Sequence, residues 1–510
     1  MRLFELFEGF PVRPVSPGGD EPEVTGVQID SRRVAPGDLF VAVRGARFDG
    51  RDFASDAVGR GAVAVLAVPG PLPESAAGDG WPPPVPWYEA DDPRALAGPL
   101  AARIHGHPER ELLLAAVTGT NGKSTVVALL ASILETAGRP SGVVGTLGYR
   151  FGDEDVHGER TTPEAPELIR LLRRWRDRGA EAVAMEASSH ALDLDRLTGL
   201  SFDAAVFTNL SQDHFDWHGD FEAYFAAKRR LFDLLKPAGR AAVNLDDPYG
   251  RRLADELSGS GRGPVTFGAA VDSAVRALEV EIDRQGLGGV LETPRGTFRF
   301  RSPLLGRYNL ENVLAAAAAG EALELDPEAI VEGIAARGPL PGRLEPVVFA
   351  DSGEGDPPFP VYVDYAHTPG ALTALLRAVR ELAGGRIILV FGAGGDRDRA
   401  KREPMGRTAG ELADLPILTS DNPRTEDPLE IIRMVETGLV ASGNAGYRMV
   451  PDRREAIHRA VSVAGPGDAL VIAGKGHEEY QEVGDRKLPF SDRDEVRKAL
   501  EERFGQTADR

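Results

Sequence analysis

The 510-residue sequence contains no cysteine. That excludes disulfides, thiolate nucleophiles and cysteine-bound metals together, and it fits a cytoplasmic protein. Lysine is nearly as scarce. It occupies only positions 123, 228, 236, 401, 475, 487 and 498, while Lys and Arg together number 59. Arginine is therefore the default cation, and each lysine raises the question of whether an ammonium is needed there. Lys236, Lys487 and Lys498 read as surface. No apolar run is long enough to span a bilayer, so no membrane insertion is expected. The N-terminal MRLFELFEGFPV lacks the apolar core and small-residue cleavage site of a signal peptide. Positive charge is in deficit: a formal net charge of −20 argues against nucleic acid, whose backbone needs clustered cations. Nucleotides, which bind through a few local groups, stay open.

What is present points to an α/β protein. The length exceeds one ordinary core and suggests about three domains. Strand-like runs at 38–43 and 62–68 precede a Pro-rich stretch at 70–86 that reads as an exposed loop. From Glu111 onward, apolar strands alternate with amphipathic helices, which indicates a mostly parallel sheet covered by helices. Residues 264–301 are richer in short β patterns and predict an antiparallel edge or subsheet. The Pro- and Gly-containing RGPLPGRLE at 337–345 reads as an interdomain hinge, and a second α/β alternation follows it. The expected domains are 1–105, 106–338 and 339–510.

The strongest single motif is VTGTNGKST at 117–125. A strand runs into Gly119-Thr120-Asn121-Gly122-Lys123-Ser124 and then into a helix, so backbone N–H groups and the helix N-terminus can cradle phosphates. Lys123 would reach the terminal phosphates and Ser124 could ligate Mg²⁺. Val117 stands where the full Walker spacing requires its first glycine, so the loop is a shortened one. AMEASSH (184–190) and FTNLSQDHFDWHGD (207–220) place Glu186, His190, Asp213, His214 and His218 at strand ends, where ligands of parallel sheets bind. Taken alone, His190 and His218 read as satisfied histidines. Lys228, in FEAYFAAKRRLF, reads from its residues alone as a surface cation on an amphipathic helix. Asn309 and Asn312 begin a later helix, and Arg343 lies at the hinge. Three C-terminal strand-end loops, VDYAHTP, GGDRDRAKRE and GKGHEEYQ, are polar and mixed in charge, and together they suit a zwitterionic ligand. SDNPRTEDP, after a further apolar run, reads as a turn in which Arg424 sits among Asp421, Glu426 and Asp427.

Taken together these motifs resemble the Mur ligase family. DSRRVAPGDLFVAVRGARFDGR, GTNGKS, ERTTPEAP, MEASSHAL, TNLSQDHFDWHGD, AAKRRLF, PGRLE, VDYAHTP, GGDRDRAKR, DNPR and GKGHEEYQ follow one another in the family's order across almost the whole chain. The resemblance implies a UDP-substrate domain, a central P-loop-type ATPase domain and a C-terminal Rossmann-like domain. It also implies that ATP, with Mg²⁺, phosphorylates the D-Glu carboxylate of UDP-MurNAc-L-Ala-D-Glu, and that an amino acid amine attacks the resulting acyl phosphate. On this resemblance Gly119 to Ser124, Asn309, Arg343 and Asp364 serve the nucleotide. Ser124, Glu186, His214 and Lys228, the last carbamylated, serve the metal. Lys123, Lys228, His214 and Arg343 are the catalytic set.

Ser31, Ala46, Arg47 and Phe48 match the UDP end of the substrate site, and Thr161, Thr162, Ser188 and Arg196 match its muramoyl-peptide contacts. Leu194 departs from a glutamine that some members carry. Arg397, Asp421, Asn422, Pro423, Arg424, Gly474 and Glu478 match a pocket for meso-diaminopimelate. That amino acid differs from lysine by a distal carboxylate, which an arginine can bind through paired charge-assisted hydrogen bonds. Arg424 is the expected reader. A monomer is expected. The competing readings are a lysine-adding relative, a folate-type amide ligase, and, in another class, a P-loop NTPase regulator.

Overall fold

Side chains of the C-terminal strands divide between two apolar layers, as the two-residue period of a strand dictates. Along Val361–Asp364, Ile387–Phe391 and Ala469–Ala473, Tyr362, Ile387, Leu389, Phe391, Val471 and Ala473 enter one buried cluster. Val361, Val363, Ile388, Val390, Leu470 and Ile472 enter the other. The first layer is shared with the helices Pro369–Leu382, Arg402–Leu412 and Pro428–Ala441. The second is shared with Arg453–Val463 and Asp492–Phe504. Burial on both faces explains why these strands read as continuous apolar runs rather than alternating ones.

The structure is a computed structural model that describes residues 1–16, 21–45, 48–70, 85–156, 158, 160–283, 285–348 and 357–504. Ala46, Arg47 and most of the Pro-rich stretch lie outside the described residues. Close packing groups the chain into two units. Unit 1 comprises residues 1–118, 137–206 and 227–242; unit 2 comprises 119–136, 207–226 and 243–510.

In unit 1 a five-stranded sheet takes the order Arg13–Ser16, Trp87–Glu89, Ala64–Ala67, Asp38–Ala42, Gly26–Gln28. Only its first pairing is antiparallel. A second sheet includes, side by side, Leu235–Asn244, Phe202–Phe207, Leu113–Thr118, Ala182–Glu186, Ser141–Gly145, Gly148–Phe151 and Glu154–Val156. Ala182–Glu186 lies parallel between Leu113–Thr118 and Ser141–Gly145.

In unit 2 the strands Arg276–Asp283, Gly286–Thr293 and Gly296–Ser302 form a separate antiparallel sheet, in line with the expected subsheet. The C-terminal sheet takes the order Glu345–Pro346, Val361–Asp364, Ala469–Ala473, Ile387–Phe391, Leu415–Leu418, Arg448–Met449. All its pairings but the first are parallel. The loops that leave Asp364, Phe391, Leu418 and Ala473 therefore open along one edge, where open parallel sheets bind ligands.

Several elements had no counterpart in the periodicity reading. Leu235–Asn244 contains Pro237 and Gly239, which normally demote a strand; both sit in its partly exposed first half, where a lost ladder bond is tolerated. The helices Pro93–Ile104, Pro248–Gly259 and Pro327–Ala336 each open on an Asp–Pro pair whose carboxylate accepts a first-turn N–H. That start signal was legible in the sequence.

Candidate active site

The strand Leu113–Thr118 feeds the turn that precedes the helix Lys123–Thr136. Two glycines in this turn are obligatory. Gly119 has φ +149°, and a Cβ there would lie 1.9 Å from Thr208 Oγ1; Gly122 has φ +88°, and a Cβ would lie 2.3 Å from Asn312 Oδ1. The segment after Phe207 clamps the turn from outside. The Thr120 amide donates to the Asn209 carbonyl (2.9 Å), the Asn121 amide to Asn209 Oδ1 (2.9 Å), and Thr208 Oγ1 to the Asn121 carbonyl (2.6 Å). Lys123 Nζ donates to the carbonyls of Gly119 (2.9 Å) and Thr120 (3.0 Å), so the ammonium is folded over its own loop.

Other expected nucleotide residues gather in the same unit. Arg343 Nη2 donates to Ser124 Oγ at 3.4 Å, and its guanidinium stacks 4.8 Å above the Tyr365 ring. Asn312 Nδ2 donates to Asn309 Oδ1 (2.8 Å), and Asn309 Nδ2 to the Leu305 carbonyl (2.7 Å). Asp364 accepts the amides of Leu344 (2.6 Å) and Ala366 (2.7 Å). Burial pushes the Asp364 carboxyl up, and Arg343 only partly offsets that. Asp213 is held below the usual carboxylate range: burial opposes this, but His214, His367, Lys401 and Lys123 outweigh it. His214 has φ +55°, and both it and His218 pack against the Tyr224 ring.

Within unit 1, Glu186 ends its strand buried and accepts the Thr146 amide (2.9 Å) and hydroxyl (3.2 Å). Thr146 Oγ1 also meets Thr161 Oγ1 at 3.0 Å. Thr162 Oγ1 donates to the Glu186 carbonyl (2.8 Å), and Ser188 Oγ accepts the Ala191 amide at the next helix start. Arg196 Nη1 donates to the Thr162 carbonyl, and Arg196 pairs with Glu164 at 3.0 Å. Arg94 pairs with the same Glu164 at 2.9 Å and donates to the Leu194 carbonyl. Leu194 thus contributes a backbone acceptor. Ser31 is buried at the start of the 3₁₀ turn Ser31–Arg33, and Phe48 is exposed.

Lys228 corrects the residue-level reading. It is 1% exposed in the helix Phe221–Asp233, not a surface cation. The burial of neighbouring Tyr224, Phe225, Ala227, Leu231 and Phe232 shows why: the helix face carrying it turns inward. Lys236 likewise is half-buried and pairs with Asp203 at 2.8 Å. Ser124 and His214 belong to unit 2, Glu186 and Lys228 to unit 1. Among the described residues no three His, Asp or Glu side chains cluster as a metal site.

The strand-end loops of the C-terminal sheet form the densest polar network. Asn422 Nδ2 donates to Glu478 Oε2 (2.8 Å); buried Lys475 donates to Asn422 Oδ1 (2.9 Å) and Glu478 Oε2 (3.0 Å). Asp421 is buried: burial pushes its carboxyl up, but Lys475 and Arg453 hold it below the usual range. Arg453 is fully buried, pairs with Asp492 at 2.7 Å, and donates to the Ala473 carbonyl beneath Gly474. Arg424 Nε pairs with Glu482 (2.7 Å) and Nη1 donates to the Gly395 carbonyl (2.8 Å). Its Nη2 has no protein acceptor among the described residues. Arg397 donates to the Asp396 carbonyl, and Arg402 forks onto Glu426.

Glu482 and Gln481, whose side-chain amide donates to the Asp421 carbonyl, were not expected. They lie on the hairpin Tyr480–Val483 and Arg486–Pro489. Its Gly484-Asp485 turn between two β-prone runs was the available signal.

Residues 117–320 match the Mur ligase middle domain, 342–476 the Mur ligase glutamate ligase domain, and 23–74 the Mur ligase family catalytic domain. A protein of Geobacter metallireducens named UDP-N-acetylmuramoyl-L-alanyl-D-glutamate–2,6-diaminopimelate ligase is 45% identical, covering 98% of this chain and 99% of the relative. A protein of the same name from Streptomyces coelicolor is 46% identical, covering 95% and 94%. A solved structure with that name is 33% identical and covers 99% of each chain, with a TM-score of 0.68.

Proposed function

The chain belongs to the Mur ligase family, and from that premise we propose that it joins meso-diaminopimelate to UDP-MurNAc-L-Ala-D-Glu, using ATP, as a cytoplasmic enzyme of peptidoglycan-precursor synthesis. The observation that carries this reading is the 45% identity, over 98% of the chain, to a relative bearing the diaminopimelate ligase name. In this reading residues 1–105 take the UDP end, 106–338 the ATP, and 339–510 the amino acid.

The chemistry follows from the groups in place. A carboxylate is a poor electrophile, so it must first be activated as an acyl phosphate. The glycine turn offers amides to the nucleotide phosphates. Lys123, released from the two loop carbonyls, turns to the terminal phosphate and offsets charge as it transfers. Arg343, beside Ser124 and stacked on Tyr365, approaches the same phosphates, while Asn309 and Asp364 support the nucleotide.

The residues assigned to Mg²⁺ are the Ser124 hydroxyl and His214 in unit 2 and the Glu186 carboxylate and a carbamylated Lys228 in unit 1; their oxygens suit a hard divalent cation, which would supply charge neutralisation. Ser31, Ala46, Arg47 and Phe48 serve the uridine end. Thr161, Thr162, Ser188 and Arg196 serve the muramoyl-peptide, with Arg196 presenting a cation to the carboxylate. For the amino acid, Arg397, Asp421, Asn422, Pro423, Gly474 and Glu478 hold the ammonium and carboxylate groups. Arg424 binds the distal carboxylate that lysine lacks; lysine would leave the Arg424 Nη2, which Glu482 and Gly395 do not engage, without an acceptor.

Phosphate release measured with each substrate omitted in turn, across an amino acid panel, tests the proposal. Release should require both UDP-MurNAc-L-Ala-D-Glu and an amino acid. meso-Diaminopimelate should exceed L-lysine by about 100-fold or more in kcat/KM, as loss of a charge-assisted bidentate contact dictates. Rapid release from ATP alone would favour an NTPase regulator, and equal use of lysine would remove Arg424 from specificity.

A further inference from the structure

Lys401 ends the 3₁₀ segment Arg399–Lys401 that follows the GGDRDR turn. It is 8% exposed, and its ammonium forms no hydrogen bond or ion pair with any described residue. The contrast within the same strand-end region is plain. Lys475, also buried, donates to Asn422 and Glu478, and Arg402, the next residue, forks onto Glu426.

The charges acting on Lys401 come from three segments of unit 2. Asp213 belongs to the segment that clamps the nucleotide turn and also feels Lys123. Asp421 belongs to the strand-end network of the C-terminal sheet. Asp398 and Arg397 act on it from its own turn. None of the three carboxylates closes an ion pair with it. Asp421 is already answered by Lys475 and Arg453, and Asp398 spends one oxygen on the Ala400 amide. Burial accordingly pulls the Lys401 ammonium below its ordinary value despite these acids.

A lysine whose stem is buried and whose ammonium no protein group answers is partly desolvated, which costs free energy relative to an apolar side chain of similar size. A chain that otherwise uses arginine as its cation keeps such a lysine only against a compensating use. Interaction with both Asp213 and Asp421 puts that use where the nucleotide turn and the amino-acid pocket both reach.

We infer that the Lys401 ammonium binds an anionic oxygen of the acyl phosphate at this junction and carries the negative charge that develops when the amine adds; the inference rests on the ligase reading above. In that step the neutral amine nitrogen forms a C–N bond to the acyl carbon, and the carbonyl π pair moves onto oxygen. The pair then returns, the bond from the acyl carbon to the phosphate oxygen breaks, and phosphate leaves with the bonding electrons. The surplus proton of the amine passes to the departing phosphate. Lys401 keeps its own protons throughout and acts as an electrostatic partner.

The test compares full-length Lys401→Met and Lys401→Ala with wild type, using ATP, UDP-MurNAc-L-Ala-D-Glu and meso-diaminopimelate. Both variants should lose about 100-fold or more in kcat, the size of one lost transition-state donor, with each KM within about threefold. Trimethylammonium, which cannot itself form an amide, should restore part of the Lys401→Ala rate. Lys401→Met should melt at or above the wild-type temperature, since it removes a partly desolvated charge that no described residue pairs.

A kcat within about threefold of wild type overturns the inference. So does a defect confined to the KM of the amino acid, an absence of rescue, or a lower melting temperature in Lys401→Met. If wild type itself forms no product, the ligase reading has failed, and Lys401 is then judged by the melting comparison alone.

Discussion

Arg424 carries a positive φ of 51°, a conformation that costs a non-glycine residue roughly 1 kcal/mol. Its backbone explains why the strain holds. The Arg424 amide donates to the Glu482 carbonyl, and the Gly484 amide donates back to the Arg424 carbonyl. These bonds fasten the loop to the hairpin, while Glu482 and the Gly395 carbonyl orient the guanidinium. An arginine held this way gives up little rotamer freedom when it takes a carboxylate through its remaining N–H groups. We predict that Arg424→Ala raises the KM for meso-diaminopimelate by about 100-fold, the value of a charge-assisted bidentate contact. The KM values for ATP and the UDP-dipeptide should stay within about threefold. Initial-rate kinetics with each substrate varied in turn reads this directly, and a uniform rise in all three would assign Arg424 to structure.

The loops that shape the amino-acid pocket depend on a buried pair one element away. Arg402, at the start of the helix Arg402–Leu412, is fully buried and forks onto Glu426 at 3.0 and 2.8 Å. It also donates to the Gly394 carbonyl, and the Asp396 amide donates to Glu426. One ion pair thus ties the GGDRDR turn to the DNPRTED turn. The hydrogen bonds from Arg402 hold the Glu426 carboxyl down at about 2, so folding favours its ionised form. That contribution is complete above the unfolded value, near 4.5, and is lost as pH falls toward 2. Glu426→Gln should therefore destabilise the protein by about 3 kcal/mol near neutral pH, because a buried arginine is left unanswered. Denaturant titrations of both proteins should converge as the pH drops through the 4.5 to 2 window. A constant difference across that window would show that Glu426 acts by packing rather than charge.

Across the whole molecule the seven lysines separate by surroundings. Lys487 and Lys498 are well exposed and Lys236 is half-buried against Asp203, whereas Lys228, Lys401 and Lys475 are buried and Lys123 is wrapped over the glycine turn. Single Lys→Arg replacements at 487 and 498 should keep activity within about twofold, as surface changes do, while the same change at 123, 228 or 475 should abolish it by imposing a larger planar group on a filled site. A fully active Lys228→Arg would remove its proposed carbamylation from the mechanism.

The buried lysines also mark how far the sequence could be read. Glycine spacing around Lys123, the polar strand-end loops and the apolar runs between them follow from local chemistry. Turn conformation, strand period and phosphate recognition each need only a few consecutive residues. The family order of the motifs was legible for the same reason. Helices opening on Asp–Pro were legible too, but weakly amphipathic ones such as Pro93–Ile104 lacked the periodicity that announces a helix. No local pattern determined that the face of Phe221–Asp233 carrying Lys228 is buried, that Glu482 on a distant hairpin answers Arg424, or that Arg402 binds Glu426. Burial and long-range ion pairing are properties of what packs against a residue, and only the tertiary structure decides them.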